Sequence, residues 1–363
     1  MEQKNQTRQE IENPETKSNQ YSIEYLKITA PRLKFFSILG FVASVLIFFS
    51  ACKKDDDKID EEYSYGIVEL LKEGGRLPLW SPNGERIAYE MNGELYVMNS
   101  DGSGNLLLTT EIYERMKWSP SGTELAYHAF RGGPLAIYKI GVDGNNEVKL
   151  TGSEVSIMDM DFSWSPDGGK IAYSISAPKV DLYIMNNDGS GNHKVDIPIH
   201  VAYPSFTPGG NRIMFRSLID NEVDLFLVST DGSNLQRLKS PNIGVGHAVM
   251  KGDESKIYFS GISGINWDIY DVDPDGSNLK NLTNGVGNNH QPHISPDGKY
   301  IAFLSYRDEI DGVCIMLADG SNPSRITKGA YRFFPGSWSP DSRQLVFDDE
   351  VDGVQGIYVL TLK

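Results

Sequence analysis

The chain has 363 residues, a formal net charge of −15 and two cysteines. So acidic a chain is excluded as a sequence-independent nucleic-acid binder, which needs a basic face. Hydrophobic residues make up 39% and glycines number 36, the balance of an exported, turn-rich β domain with core enough to fold without disulfides.

In chain order, the first feature is an apolar run from Phe35 to Ala51, preceded by Arg32 and Lys34. At 17 residues it is at the short limit for a membrane span and suits the core of a signal peptide. Phe49-Ser50-Ala51-Cys52 closes it. These four residues resemble a bacterial lipoprotein box, in which small residues precede a cysteine that is lipidated and becomes the mature N-terminus. The resemblance implies lipidation at Cys52 and a bacterial outer-membrane lipoprotein that faces the periplasm or the cell surface. The polar leader, residues 1–34, is long, and an uncleaved signal anchor is the alternative. Residues 52–63 open with Lys53-Lys54-Asp55-Asp56-Asp57 and read as a charged, flexible tether. A basic residue plus a short acidic run after the cysteine also resembles the export signal of Bacteroidota surface lipoproteins.

Residues 64–363 read as one β domain. Gly66 to Leu71 is a lone apolar strand. A repeat then begins at Trp80, Trp118, Trp164, Phe206, Met250, Ile294 and Trp338, at steps of 38, 46, 42, 44, 44 and 44 residues. Seven residues into each copy, an Ile or Leu opens a strand: Ile87, Leu125, Ile171, Ile213, Ile257, Ile301 and Leu345. A third strand and an Asp-Gly turn follow, the turns falling at Asp101, Asp143, Asp188, Asp231, Asp275 and Asp319. A period in the low forties with four strands per unit predicts a β-propeller. The fold class is therefore all-β, a seven-bladed propeller of four-stranded blades. Six blades is the alternative, should the copy at Met250, which lacks the proline, not form one. The last copy lacks an outer strand, and Gly66–Leu71 is expected to supply it and close the ring.

Trp164-Ser165-Pro166-Asp167-Gly168, then Ile171-Ala172-Tyr173, then Asp181-Leu182-Tyr183-Ile184-Met185, then Asp188-Gly189-Ser190 resembles the TolB-like (WD40-like) propeller repeat. The resemblance covers residues 66–363 and fixes a fold more than an activity, since such propellers host unrelated functions. The same repeat occurs beside α/β-hydrolase domains and in oligogalacturonate lyases. No hydrolase domain or nucleophile elbow follows in this sequence.

Propellers bind ligands at the mouth of the central channel. Three residues before each repeat start, the sequence reads Leu77, Arg115, Asp161, Tyr203, His247, Gln291 and Pro335. A structural column would repeat one residue type, and this one changes from blade to blade. Arg115, Asp161, Tyr203, His247, His290 and Gln291 are the candidate ligand-binding residues, with Lys117, His293 and Phe334 nearby. The plain alternative is that variable loops are polar because they are exposed. His290-Gln291-Pro292-His293 with His247 invites a metal reading, because oligogalacturonate lyases hold a divalent metal with His and Gln near the channel. Exposed or hydrogen-bonded histidines explain the residues as well, and no metal or cofactor is assigned. Asp271 to Gly276 looks like a calcium loop, but its twelfth position is Leu282. The recurring Ser and Asp of the repeat are turn chemistry, and Cys314 reads as a small buried hydrophobe.

The functional reading is a non-catalytic envelope module, a monomeric lipid-anchored propeller that binds a protein or glycan at its channel mouth. The rival is a carbohydrate-active enzyme such as a metal-dependent polysaccharide lyase.

Overall fold

The computed structural model describes residues 65–152, 161–176, 180–238, 243–307, 310–327, 334–351 and 353–363. The leader, the Phe35–Ala51 run, Cys52 and the charged tether lie outside the described residues. Among the described residues all regular structure is β, arranged as seven four-stranded antiparallel sheets. The copy at Met250 forms a full blade, with strands Gly244–Met250, Ile257–Ser263, Asn266–Val272 and Lys280–Asn281, so the propeller has seven blades and not six.

Each repeat start ends an innermost strand, and the tryptophan column ties neighbouring blades. The Trp118 indole N–H donates to the Leu79 carbonyl at 3.0 Å, Trp164 to Lys117 at 3.3 Å and Trp338 to His293 at 3.0 Å. A buried indole seeks such a partner, and three of the column's four tryptophans have one; Phe206, Met250 and Ile294 fill the position by apolar packing alone. Within blades, the second and third strands place aromatic rings directly opposite one another. Tyr89 and Tyr96 stack at 5.3 Å, Phe215 and Phe226 at 5.4 Å, and Phe259 and Tyr270 at 5.4 Å. In the sixth blade Cys314 stands opposite Phe303 in the same register, fully buried, and burial pushes its thiol pKa up. It is a packing residue, as its apolar strand suggested.

The repeat's Ser and Asp are spent on turns. Ser165 Oγ donates to Asp167 at 2.5 Å and accepts from the Lys170 N–H at 2.8 Å, and Ser339, Asp341 and Gln344 repeat the pattern. In the outer hairpins Asp188, Asp231 and Asp319 each accept from the N–H and hydroxyl of the serine two residues on.

Ring closure uses the strand at the other end of the chain. Gly66–Glu73 pairs antiparallel with Val354–Leu362, from Gly66 opposite Leu362 to Glu73 opposite Gly356. It is the outer strand of the last blade, whose innermost strand is Ser337–Trp338. Leu71, at the bulge in this pairing, packs on Trp80, Ile87, Ile357 and Val359, which span the first and last blades. Gly356 is required there, because a Cβ would stand 2.5 Å from the Lys72 carbonyl oxygen and 2.8 Å from Leu70.

Two outcomes follow from these contacts. Deleting residues 66–73 strips the last blade of its outer strand and bares the Val354–Leu362 edge. The expected result is aggregation or a melting temperature lower by at least several degrees, and Gly356→Val is expected to mimic it; unchanged melting contradicts the closure. The second concerns acid. Side-chain hydrogen bonds from Ser165, Ser190, Ser233, Ser321 and Ser339, then backbone N–H bonds, hold Asp167, Asp188, Asp231, Asp319 and Asp341 below the ordinary carboxylate range. A depressed folded-state pKa gives stability that is present above the unfolded value, about 3.9, and is lost as pH falls through the folded one. Thermal melts should therefore decline below about pH 4, and Asp188→Asn with Asp231→Asn should cost more at pH 7 than in acid. Equal cost at both pH values contradicts this.

Candidate functional site at the channel mouth

The candidate column sits on a repeated irregularity of the innermost strands. In the first blade Arg76 pairs with Glu90 and Leu79 with Ala88, leaving two residues, Leu77 and Pro78, opposite one. Tyr203-Pro204 in the fourth blade and Gln291-Pro292 in the sixth do the same. Proline lacks the ladder N–H and is tolerated at such bulges. The residue before it takes left-handed backbone, with φ of 52° at Leu77, 55° at Tyr203 and 51° at Gln291. None is glycine, so each bulge holds about 1 kcal/mol of backbone strain. Bulges re-aim side chains, and innermost strands line the channel of a propeller.

In the second blade, three residues ending in Arg115 stand opposite His128 alone. In the fifth, Gly246 and His247 stand opposite Ser260. Gly246 leaves no room for a Cβ, which would lie 2.5 Å from Ser260 Oγ and 2.7 Å from the Trp267 ring.

These side chains meet across blades. Arg115 lies 3.3 Å from Asp161, and Lys117 reaches the other carboxylate oxygen at 2.9 Å. Asp161 also accepts from the Phe162 N–H at 2.9 Å. The Arg115 guanidinium is 5.4 Å from the centre of the Tyr203 ring, and Arg216 covers that ring at 3.9 Å. His247 stacks on His293 of the next blade, 5.2 Å apart and 7° from parallel, and Phe334 meets His293 edge-on at 4.7 Å. The second to fourth blades thus form one group of contacts and the fifth to seventh another, with the charge of Arg216 felt at His247.

The electrostatics are lopsided. Three cations, Arg115, Lys117 and Arg216, face one carboxylate in a strongly acidic protein. Burial works to raise the Asp161 pKa, but Lys117 and Arg115 outweigh it and the carboxyl titrates below its ordinary value. Its side chain is 15% exposed, against 40% for Arg115 and 36% for Lys117, so the cations are the solvent-facing partners. His247, an exposed residue at the channel mouth, is pushed down by desolvation of its ring and then by the Arg216 cation. His293 is pushed well down by burial and then by His247. His128, packed on Phe162 at 5.0 Å, falls to about 4 through burial. At neutral pH the imidazoles are uncharged. The buried Nε of Arg216 and Nε2 of His293 have no hydrogen-bond partner among the described residues.

Arg115, Asp161, Tyr203 and His247 fall in this cluster. His290 does not touch it: its ring packs on Trp267 at 5.2 Å, and among the described residues it makes no bond or ring contact with those four. Gln291 is half-buried on its bulge, with no partner for its amide among the described residues. The histidine that joins His247 is His293, because the bulge falls between positions 290 and 293. Among the described residues no three His, Cys, Asp or Glu side chains gather as a metal group, at the Asp271–Gly276 turn or elsewhere. Arg216 went unpredicted. Its signal lies three residues into the second strands, where Glu90, His128, Ser174, Arg216, Ser260 and Asp348 interrupt apolar sequence in six of seven blades. This second column lies under the bulges and serves them: Asp348 accepts from the Leu77 N–H at 3.3 Å, and Glu90 pairs with Arg76 at 2.6 Å.

The ring of seven four-stranded antiparallel blades defines a β-propeller. Residues 68–250 and 141–363 match the family model described as the TolB beta propeller domain, and the chain belongs to that family. A TolB homolog from Chlorobaculum tepidum is 33% identical over 125 residues, 34% of this chain and 28% of that protein. Dipeptidyl-peptidase 5 from Porphyromonas endodontalis is 27% identical over 122 residues, 29% of this chain and 18% of that protein. The chain therefore aligns with under a third of either relative's length. Among solved structures, an oligogalacturonate lyase in complex with manganese superposes with a TM-score of 0.66 at 15% identity, covering 82% of this chain and 93% of that one. At that identity the likeness is one of fold.

The bulge strain is testable at Gln291. Gln291→Gly should leave stability within about 0.5 kcal/mol, since relief of left-handed strain offsets the added chain entropy. Gln291→Ile, β-branched at positive φ, should cost about 1–2 kcal/mol in denaturant melts. Equal stability of the two variants contradicts the strained geometry.

Proposed function

We propose that this propeller is a non-catalytic binding module of the bacterial envelope, engaging a protein or glycan ligand at its channel mouth. The observation that carries the reading is the contact chain from Lys117 and Arg115 through Asp161 and Tyr203 to Arg216. It gathers charge and aromatic surface from successive blades at one place open to solvent, on a scaffold whose repeated Ser and Asp residues are occupied in turns. Membership of the TolB propeller family supports an envelope role. Lipidation at Cys52 would hold the module at the outer membrane, facing the periplasm or the surface, and acyl chains contribute about 0.8 kcal/mol per buried CH₂. The histidines of the cluster titrate below neutrality.

The test is chemical cross-linking in whole cells, comparing the unaltered chain with the Arg115→Ala/Tyr203→Ala double variant. The expected result is a cross-linked species that the variant loses while it still melts cooperatively, at a stability cost of about 1–2 kcal/mol because Arg115 pairs with Asp161 and Tyr203 carries Arg216. Identical cross-linking overturns the channel-mouth site. Cys52→Ser should abolish acyl labelling and release the propeller from membranes, and retention without label would favour the uncleaved anchor.

A further inference from the structure

The two faces of the propeller differ in chemistry. Among the described residues, the links from an outer strand into the next innermost strand and the hairpins between second and third strands lie on one face. The Ser-Pro-Asp-Gly turns and the Asp-Gly-Ser hairpins lie on the other. The second face is a field of carboxylates, including Asp167, Asp188, Asp231, Asp319 and Asp341.

The first face surrounds the cluster, and several of its described residues are exposed and apolar. Ile265 is 90% exposed, Leu218 59%, Val286 56%, Phe130 48%, Tyr113 46% and Tyr306 44%. They come from four blades, and Tyr113 and Phe130 pack edge-on at 5.2 Å while each remains exposed. Among the described residues the other exposed large apolar side chains are Val354, on the same face, and residues on or beside outer strands such as Ile67 and Leu106. Large apolar side chains raised on loop tips around a recess mark an interaction face.

The centre of this face is basic on the side of the second to fourth blades. Arg115 and Lys117 share the carboxylate of Asp161 and Arg216 covers Tyr203 beside them, while Glu90 and Asp348 stand on the first and last blades. Guanidinium groups match a carboxylate. The Tyr203 ring already carries the guanidinium groups of Arg216 and Arg115, so it is not open as a platform for a sugar ring. Recognition at the centre must then run through charge, and recognition at the rim through apolar contact. A peptide supplies both together.

Resting on the binding-module reading above, we propose that this face docks a segment of a partner protein in which an Asp or Glu side chain is flanked by apolar residues. The acidic side chain sits among Arg115, Lys117 and Arg216, and its apolar neighbours lie on the rim formed by residues such as Ile265 and Phe130. The acidic opposite face repels the same segment, which fixes which side it approaches.

The probe is a displayed library of random dodecapeptides, selected on the full chain in detergent. Selected peptides should carry Asp or Glu beside apolar residues. Resynthesised with a fluorescent label, such a peptide should lose about tenfold or more in affinity when its acid is changed to the amide, the scale of a charged hydrogen bond. Arg216→Gln should do likewise, and Ile265→Ser, at a fully solvated tip that folding does not need, should weaken binding about two- to fivefold. Peptides that bind as well with the amide, or with Arg216→Gln, overturn the carboxylate seat while leaving a binding face in place. Peptide binding that survives Arg115→Ala/Tyr203→Ala overturns the channel-mouth site too. If no peptide is selected but an oligogalacturonate binds, the ligand is a glycan and the peptide proposal fails alone.

Discussion

Everything at the channel mouth depends on closure of the ring. Gly66–Glu73 hydrogen-bonds to Val354–Leu362, and Leu71 packs against the apolar cluster shared by the first and last blades, next to the Gly102 turn. Without that strand the first and last blades share only a partial interface, and the last sheet ends in an open edge. The functional consequence is geometric. Side chains such as Arg115 and Arg216 come from segments about a hundred residues apart, and a ring that opens lets their spacing drift. Fixing the seam fixes the distances among cations, carboxylate and rings.

Closure and site use different parts of each repeat, which lets one change without the other. The Ile/Leu and tryptophan columns, the cross-strand rings and the Ser–Asp turns build blades and repeat almost unchanged. The bulge residues sit where strand pairing has already lapsed, so Leu77, Tyr203 and His247 can occupy equivalent places without disturbing the ladder, and Asp161 precedes the paired residues of its strand. The strain of left-handed backbone at Leu77, Tyr203 and Gln291 is carried by proline-locked neighbours and, at Leu77, by Glu90 and Asp348 of the second strands. Charge follows the same division: the structural turns of one face are acidic, and the channel at the other mixes Arg115, Lys117 and Arg216 with Asp161, Glu90 and Asp348.

The fold was legible because its signals are local. Asp-Gly turns, alternating strands and a fixed period each constrain a few residues, and a strand left over at one end matched the one missing at the other. The column of candidate residues was legible for the same reason, as a position of the repeat that does not repeat. What sequence could not give was direction. His290 and His293 lie three apart, and simple alternation puts them on opposite sides, but the bulge between them decides which one faces His247. Arg216 was hidden because it lies on a second strand, opposite Ala202, where an arginine reads as the polar side of an alternating pattern. Only the paired register brings it over Tyr203.

The central claim is that the channel mouth is a basic recess that receives an acidic group, and His247 is its natural reporter. The residue is exposed, feels the charge of Arg216, and has a pKa held down by its surroundings. The measurement is an NMR titration of the His247 imidazole in sodium trifluoroacetate and in sodium chloride at equal ionic strength, trifluoroacetate being a small carboxylate that stays ionised throughout the titration. A carboxylate seated among Arg115, Lys117 and Arg216 offsets the positive field and favours the protonated ring. The account predicts a higher His247 pKa in trifluoroacetate, with the rise abolished by Arg216→Gln. The same pKa in both salts would contradict it.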